Sequence, residues 1–335
     1  MQNVLLVGFG FMGKMHAEIY RSLPEVCLVG VVDPRGESLR EDLRVCGLGS
    51  VPIFGDFESA REQADFSAVD ICLPTDLHRE AALSAFAAGK HVFCEKPIAI
   101  TREDALAMID AARAADRQLM VGHCIRFWPE YLELKRLVDS GERGSLVSLS
   151  MVRRTGRPGY SVGDWVNQPE RCLGAALDLH IHDSDFLMHL LGAPESVISQ
   201  GIRDETGWSS IATQYGYGDR IVTAEGAWNY PASWGFQMRF TAVFESAVLD
   251  YDSRSDPTFA ITPAIGDAAP VALPVSSADG YHGELAHFIA CLEEDKPVAI
   301  STGEQAAASL NLVLAEIESA RSGERITINQ PLCKK

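Results

Sequence analysis

Three groups of residues in this 335-residue chain have the types and spacing for chemistry. Lys96 stands between Glu95 and Pro97 at the end of an apolar run, HVFCEKPIAI (91–100). Lysine is costly to bury unless something nearby needs its charge or its proton. Asp178 and His182 lie in GAALDLHIHDSD (174–185). Four residues apart on a helix they share a face and can point into one cleft, whereas His180 points elsewhere. A neutral imidazole is a suitable base for the hydroxyl proton of a secondary alcohol. A lysine on the same oxygen would stabilise its developing negative charge. Asp178 would orient the substrate or the two cations.

The third group is Gly8-Phe9-Gly10-Phe11-Met12-Gly13, placed between an apolar run and a helical pattern. Gly8 allows the turn, Gly10 lets the backbone approach a pyrophosphate, and Gly13 permits close helix–strand packing; the helix start offers N–H groups to the phosphates. Asp33, twenty residues after Gly13, ends the next apolar run, where a carboxylate accepts ribose hydroxyls. The cofactor expected is NAD, because a carboxylate repels the 2′-phosphate of NADP. Arg35 is the counter-argument, since it could swing toward such a phosphate; an exposed loop position is the preferred explanation of it.

Other polar residues are weaker candidates. Arg126 and Trp165 are candidate substrate contacts, with a structural salt bridge an equal alternative for Arg126. Arg153, Arg154 and Arg157 are candidate cleft residues, and Trp228 and Trp234 candidate sheet packing. Two histidines and three carboxylates fall within residues 178–185. His-x-His on a helix does not aim both rings at one ion, and no distant Cys/His cluster completes a site, so no metal is expected.

The elements that must position these groups follow from the apolar pattern. Short apolar runs at 4–8, 26–33, 51–54, 68–74, 91–96 and 118–123 alternate with helical stretches at 12–22, 36–46, 77–88 and 102–116. This predicts a doubly wound parallel sheet covered on both faces. In such a sheet ligands bind outside the carboxyl ends of the strands, which is where Thr75 and Lys96 fall. After residue 123 the rhythm changes to a helix at 129–140, longer strands at 145–155, 209–218, 220–230, 236–246 and 247–252, and helices at 175–191, 282–294 and 303–322. The division expected is 1–123 for dinucleotide binding and 124–335 for an α/β domain with a large, mostly antiparallel sheet that binds substrate, the last helices returning toward the first domain.

Composition sets the outer limits. Twenty-nine basic against 46 acidic residues give a net charge of −17, which argues against nucleic acid or an anionic membrane as partner. No run of about 18 apolar residues suggests a membrane span, and the first residues lack the pattern of a signal peptide. The expectation is a cytoplasmic protein. The eight cysteines contain no C-x-x-C pair and read as reduced and largely buried.

GFGFMG, PTDLHREAALSAFAAGKHVFCEKPIAIT and GAALDLHIHDSDFLMHLLG together resemble the Gfo/Idh/MocA oxidoreductases over nearly the whole chain. The resemblance implies a Rossmann domain followed by an open-sheet α/β domain whose free face makes homodimers or homotetramers. It implies that Lys96, Asp178 and His182 meet at the nicotinamide and that Thr75, His78 and Glu95 lie near the cofactor. It also implies a cis Lys96–Pro97 bond. His180 departs from the family, in which many members have glycine. The function expected is NAD-dependent oxidation of a secondary hydroxyl of a sugar, inositol or polyol. The alternatives are an NAD(P)H-dependent reductase of another small carbonyl or imine, and a non-catalytic dinucleotide sensor.

Overall fold

The structure, a computed structural model, describes residues 1–264, 269–274 and 279–328. The chain divides into two compact units. The first comprises Met1–Cys124, Tyr160–Trp165 and Tyr281–Ala307, and the second Ile125–Gly159, Val166–Gly280 and Ala308–Lys335. Two segments of the first unit, Tyr160–Trp165 and Tyr281–Ala307, follow residue 123 in sequence.

The first unit is built on a six-stranded parallel sheet: β1 Gln2–Val7, β2 Val26–Val32, β3 Ile53–Phe54, β4 Ala68–Ile71, β5 His91–Glu95 and β6 Leu119–Gly122, in the order β3-β2-β1-β4-β5-β6. Val4, Leu5 and Leu6 are fully buried, as expected of a strand covered on both faces. Its helices are α1 Phe11–Ser22, α2 Arg40–Val45, α3 Phe57–Gln63, α4 His78–Ala87 and α5 Arg102–Ala115. Helix α5 starts where Thr101 Oγ1 accepts the Asp104 N–H at 3.1 Å, and α3 where Asp56 accepts the Ser59 N–H at 2.8 Å.

The second unit carries α6 Pro129–Ser140, β7 Leu146–Gly156, α7 Pro169–Cys172, α8 Ala175–Asp178 and α9 Ile181–Leu191. Next come β8 Ser196–Asp204, β9 Gly207–Tyr217, β10 Arg220–Tyr230, β11 Gln237–Phe244, β12 Ala247–Asp252, β13 Phe259–Pro263 and β14 Val271–Ala272. Helix α10, Gly280–Glu293, lies almost wholly in the first unit, packing Phe288 on Phe93 of β5 with ring centroids 5.7 Å apart. Helix α11, Gly303–Ser322, and strand β15, Ile326–Thr327, end the described chain. The nine-stranded sheet runs β14-β13-β12-β11-β7-β10-β9-β8-β15 and is antiparallel except for the β7–β10 pair. Tyr131 of α6 and Phe186 of α9 pack edge-on 4.9 Å apart, and Tyr131 meets Phe240 of β11 at 5.0 Å. The other sheet face carries Val152, Ile198, Thr223, Glu225 and Val243, none of them buried.

The helix expected over 175–191 is interrupted between α8 and α9. The His180 N–H reaches back five residues to the Ala175 carbonyl at 2.8 Å, one more than the α-helical step. The His180 ring is fully buried, with Nε2 2.7 Å from Glu316 Oε2 of α11 and 3.2 Å from the Tyr215 hydroxyl of β9. It passes over Gly226 of β10 so closely that an added Cβ there would lie 2.5 Å from His180 Cβ. Gly226→Ala should therefore overpack this site by about 1–3 kcal/mol. Thermal unfolding should show a midpoint lower by about 2–4 °C per kcal/mol; an unchanged midpoint would contradict the close approach.

Candidate active site

The dinucleotide loop is shaped by two glycines that no other residue could replace. Gly8 has φ +95° and a Cβ there would lie 2.5 Å from the Cys72 carbonyl oxygen, while a Cβ on Gly13 would lie 2.1 Å from the Gly8 oxygen. At Gly10, by contrast, a Cβ would meet nothing within 4 Å, so the space over the loop is open. Helix α1 begins there with no side-chain cap and no acidic residue in its first turn. Its leading N–H groups therefore remain available for an anion. Phe11 is 52% exposed and its ring lies 4.9 Å from that of Tyr160. Met12 packs its side chain against the core around Leu6 and Phe9, leaving its backbone as the group for a phosphate.

Asp33 follows β2 and accepts the Phe9 N–H at 3.0 Å. Arg35 is not the exposed loop residue expected: its Nε and Nη2 lie 2.9 and 2.8 Å from the two Asp33 oxygens. Burial alone would raise the Asp33 carboxyl, but the hydrogen bonds from Arg35 and Phe9 hold it below the usual range. The open cradle, the uncapped helix start and this carboxylate fit a dinucleotide.

Because the strands are parallel, Lys96 leaves β5 at the same sheet edge as the Gly8–Gly13 loop. The Lys96–Pro97 peptide is cis. The Lys96 N–H donates to Glu95 Oε2 at 3.0 Å, and Glu95 Oε1 lies 3.1 Å from His16 Nε2. Glu95 is thus a buried brace beneath the turn. His78 has a similar part. Its Nε2 is 2.9 Å from the Leu73 oxygen and Nδ1 3.0 Å from the Pro97 oxygen, and burial keeps the ring below the usual histidine range. The ring joins the ends of β4 and the Lys96–Pro97 turn, and Thr75 is buried beside it at the start of the next helical turn.

In the second unit Asp178 closes α8 and His182 lies in the first turn of α9. Leu179 and His180 between them keep right-handed helical dihedrals, so the pair stays about one turn apart. Three buried contacts hold this segment: His180 Nε2 on Glu316 Oε2, and the ion pairs of Asp183 with Arg153 at 2.8 Å and Asp185 with Arg126 at 2.7 Å. Arg126 is therefore engaged as the structural salt bridge that was its alternative. Arg153 is likewise buried on Asp183, Arg154 pairs with Glu225 and Arg157 with Glu205. Trp165 is partly buried in the 160–165 segment of the first unit. Trp228 is buried and donates to Thr206, whereas Trp234 is 38% exposed.

Residues 2–123 match the model of an oxidoreductase family with an NAD-binding Rossmann fold, and residues 131–249 match the GFO/IDH/MocA C-terminal domain. The chain belongs to the GFO/IDH/MocA family. An inositol 2-dehydrogenase of Rhizobium meliloti is 26% identical over 96% of this chain and 98% of its own. A 1,5-anhydro-D-fructose reductase of Ensifer adhaerens is 29% identical over 80% of this chain and 81% of its own. Among solved structures, a levoglucosan dehydrogenase in complex with NADH and levoglucosan superposes with a TM-score of 0.86. It is 21% identical, and the match covers 98% of this chain and all of that one, which establishes the fold. The family makes the chain an oxidoreductase with an NAD-binding domain and leaves the sensor alternative without support. No described helix is long and apolar enough to cross a membrane.

Sequence reasoning missed His16, the buried centre of the first unit's site. Its Nδ1 is 2.8 Å from Asp70 Oδ2, Cys72 Sγ lies 3.2 Å from the same nitrogen, and Glu95 and Glu284 face its other side. Burial alone would lower the imidazole, but Cys72 and Asp70 raise it well above the usual histidine value. Burial pushes the Cys72 thiol up. The His16 ring lies between the Asp70 and Glu95 carboxyl groups, and the direction of its shift favours the protonated form. The signal available in the sequence was a histidine three residues past the last loop glycine, with an aspartate inside an apolar strand.

Removing one member of a buried ion pair typically costs about 3–5 kcal/mol, and His16→Asn should lower stability on that scale. A raised folded-state value means that the histidine's contribution is complete below about pH 6.5 and is lost as pH rises through that value. Glu95 is shifted the other way: burial opposes its charge, but His16 and Lys96 lower it, so its share is lost in acid. The stability gap between wild type and His16→Asn should be widest between about pH 4.5 and 6.5 and narrow in alkali. Denaturant unfolding across pH 4–10 checks this, and a gap that widens with pH would contradict an imidazolium.

Proposed function

We propose that this chain oxidises a secondary hydroxyl of a sugar, inositol or related polyol to a ketone, reversibly. The observation that carries the reading is that Lys96 emerges at the sheet edge on which the dinucleotide loop opens. The full-length likeness to an inositol 2-dehydrogenase supports a polyhydroxylated ring as substrate. Gly8 to Gly13 would hold the pyrophosphate and Asp33 the adenosine ribose. When bound, NAD supplies the acceptor for the hydride. His182 takes the hydroxyl proton, and the Lys96 ammonium hydrogen-bonds the same oxygen as negative charge develops on it. Asp178 orients the substrate. Reduction of a small carbonyl is the second reading, supported by the anhydrofructose reductase relative.

Inositols, aldoses, sugar acids and amino sugars with NAD or NADP, followed by reduced-nicotinamide absorbance, test the reading. With the best substrate, Lys96→Ala and His182→Ala should each lower kcat by about 10²–10⁴ while NAD binding by calorimetry is retained. Near wild-type turnover in either variant would overturn the assignment. The open face of the nine-stranded sheet, with Ile202 57% and Ile221 64% exposed, is the surface we assign to a second copy. Light scattering after size exclusion should give a dimer or tetramer, and Ile221→Asp should shift it toward monomer.

A further inference from the structure

The ribose-reading position holds more than a carboxylate. Four N–H groups converge on Asp33: Phe9 N–H at 3.0 Å, and from Arg35 the backbone N–H at 3.0 Å, Nε at 2.9 Å and Nη2 at 2.8 Å. A carboxylate offers about four lone-pair sites, so its acceptor capacity is filled from within the chain. Arg35 Nη2 also donates to the Phe9 oxygen at 2.9 Å, which seats the guanidinium on the dinucleotide loop itself. The Arg35 side chain is still 34% exposed, so its fork can leave into solvent.

We propose that Arg35 sets the choice between the two nicotinamide dinucleotides, competing with NAD for Asp33 and pairing with the 2′-phosphate of NADP, so that this chain binds both. The ribose hydroxyls of NAD must donate to the Asp33 oxygens that Nε and Nη2 occupy, so NAD binding displaces the fork. A 2′-phosphate makes the opposite demand. A bare carboxylate repels it, whereas the guanidinium can stay on Asp33 and donate to it from Nη1, which these bonds do not use. With Arg35 on Asp33 the pair has no net charge, and the repulsion that would otherwise exclude NADP is cancelled. One residue therefore weakens the hold on one cofactor and strengthens it on the other.

The test is calorimetric binding of NAD⁺ and NADP⁺ to the full chain, as wild type, Arg35→Ala, Arg35→Gln and Arg35→Lys. Arg35→Ala should bind NAD⁺ about threefold tighter or better and NADP⁺ about tenfold weaker or worse. Arg35→Gln should behave similarly, and either neutral variant suffices if the other fails to fold, since NAD⁺ binding reports the folded state. Arg35→Lys should keep part of the NADP⁺ affinity, as a point charge without the fork. Three results would overturn the proposal: an unchanged ratio of the two Kd values in the neutral variants, a parallel loss of both affinities, or no NADP⁺ binding by wild type where NAD⁺ binds. Binding is read without turnover, so failure to oxidise any polyol would leave this test intact.

Discussion

Charge taken out of water needs an opposite charge beside it, and that constraint places both reactive segments of this chain. An ion removed from solvent loses several kcal/mol of hydration, recovered only in good geometry with a partner. In the first unit the partnership is Asp70–His16–Glu95, fully enclosed, with the Lys96 N–H as the next link on Glu95. The turn that carries Lys96 is thus tied to a buried ion set from below and to the His78 ring from the side. In the second unit Glu316, Arg153 and Arg126 reach three positions on or beside α9 from three different elements. A helix held at positions 180, 183 and 185 has little freedom to rotate, so the direction in which His182 points is held as well.

The same economy of space governs the cofactor loop. Gly8 and Gly13 are needed because α1 and the end of β4 come within contact of the loop backbone, while Gly10 faces open space. Close packing on one side and vacancy on the other expose the start of α1 to an anion. Asp33 and Arg35 complete the loop through Phe9, whose N–H and carbonyl each bind one of them. The Asp33–Arg35 pair is therefore part of the loop's own hydrogen-bonding.

The parallel sheet was legible in the sequence because its strands are apolar on both faces and its helices are regularly spaced. Strand β8 was not. It alternates only as far as Ser199, after which Gln200 to Arg203 are exposed and carry no apolar period. Helix α3 is seven residues long, too short for a periodic signal, and only its Asp56 cap marked it. At the site, the residue types were legible and their partners were not. Arg126 and Asp185 lie 59 positions apart and His16 and Asp70 54 apart, so no local pattern pairs them. Arg35 and Asp33 are two apart, and that pair was within reach of the sequence.

The break between α8 and α9 shows how a long-range contact overrides a helical pattern. LDLHIHD reads as continuous helix, since nothing in it forbids the i,i+4 ladder. His180 nevertheless lies where its resemblance to the family predicts glycine, and an imidazole at that position has to go somewhere. It goes into the unit, onto Glu316 and the Tyr215 hydroxyl, in a space that exists because Gly226 on the facing strand lacks a side chain. The ladder gives way by one residue at His180 to admit the ring. The cost of one irregular turn is offset by a buried contact with a carboxylate, and that contact falls in sequence between Asp178 and His182.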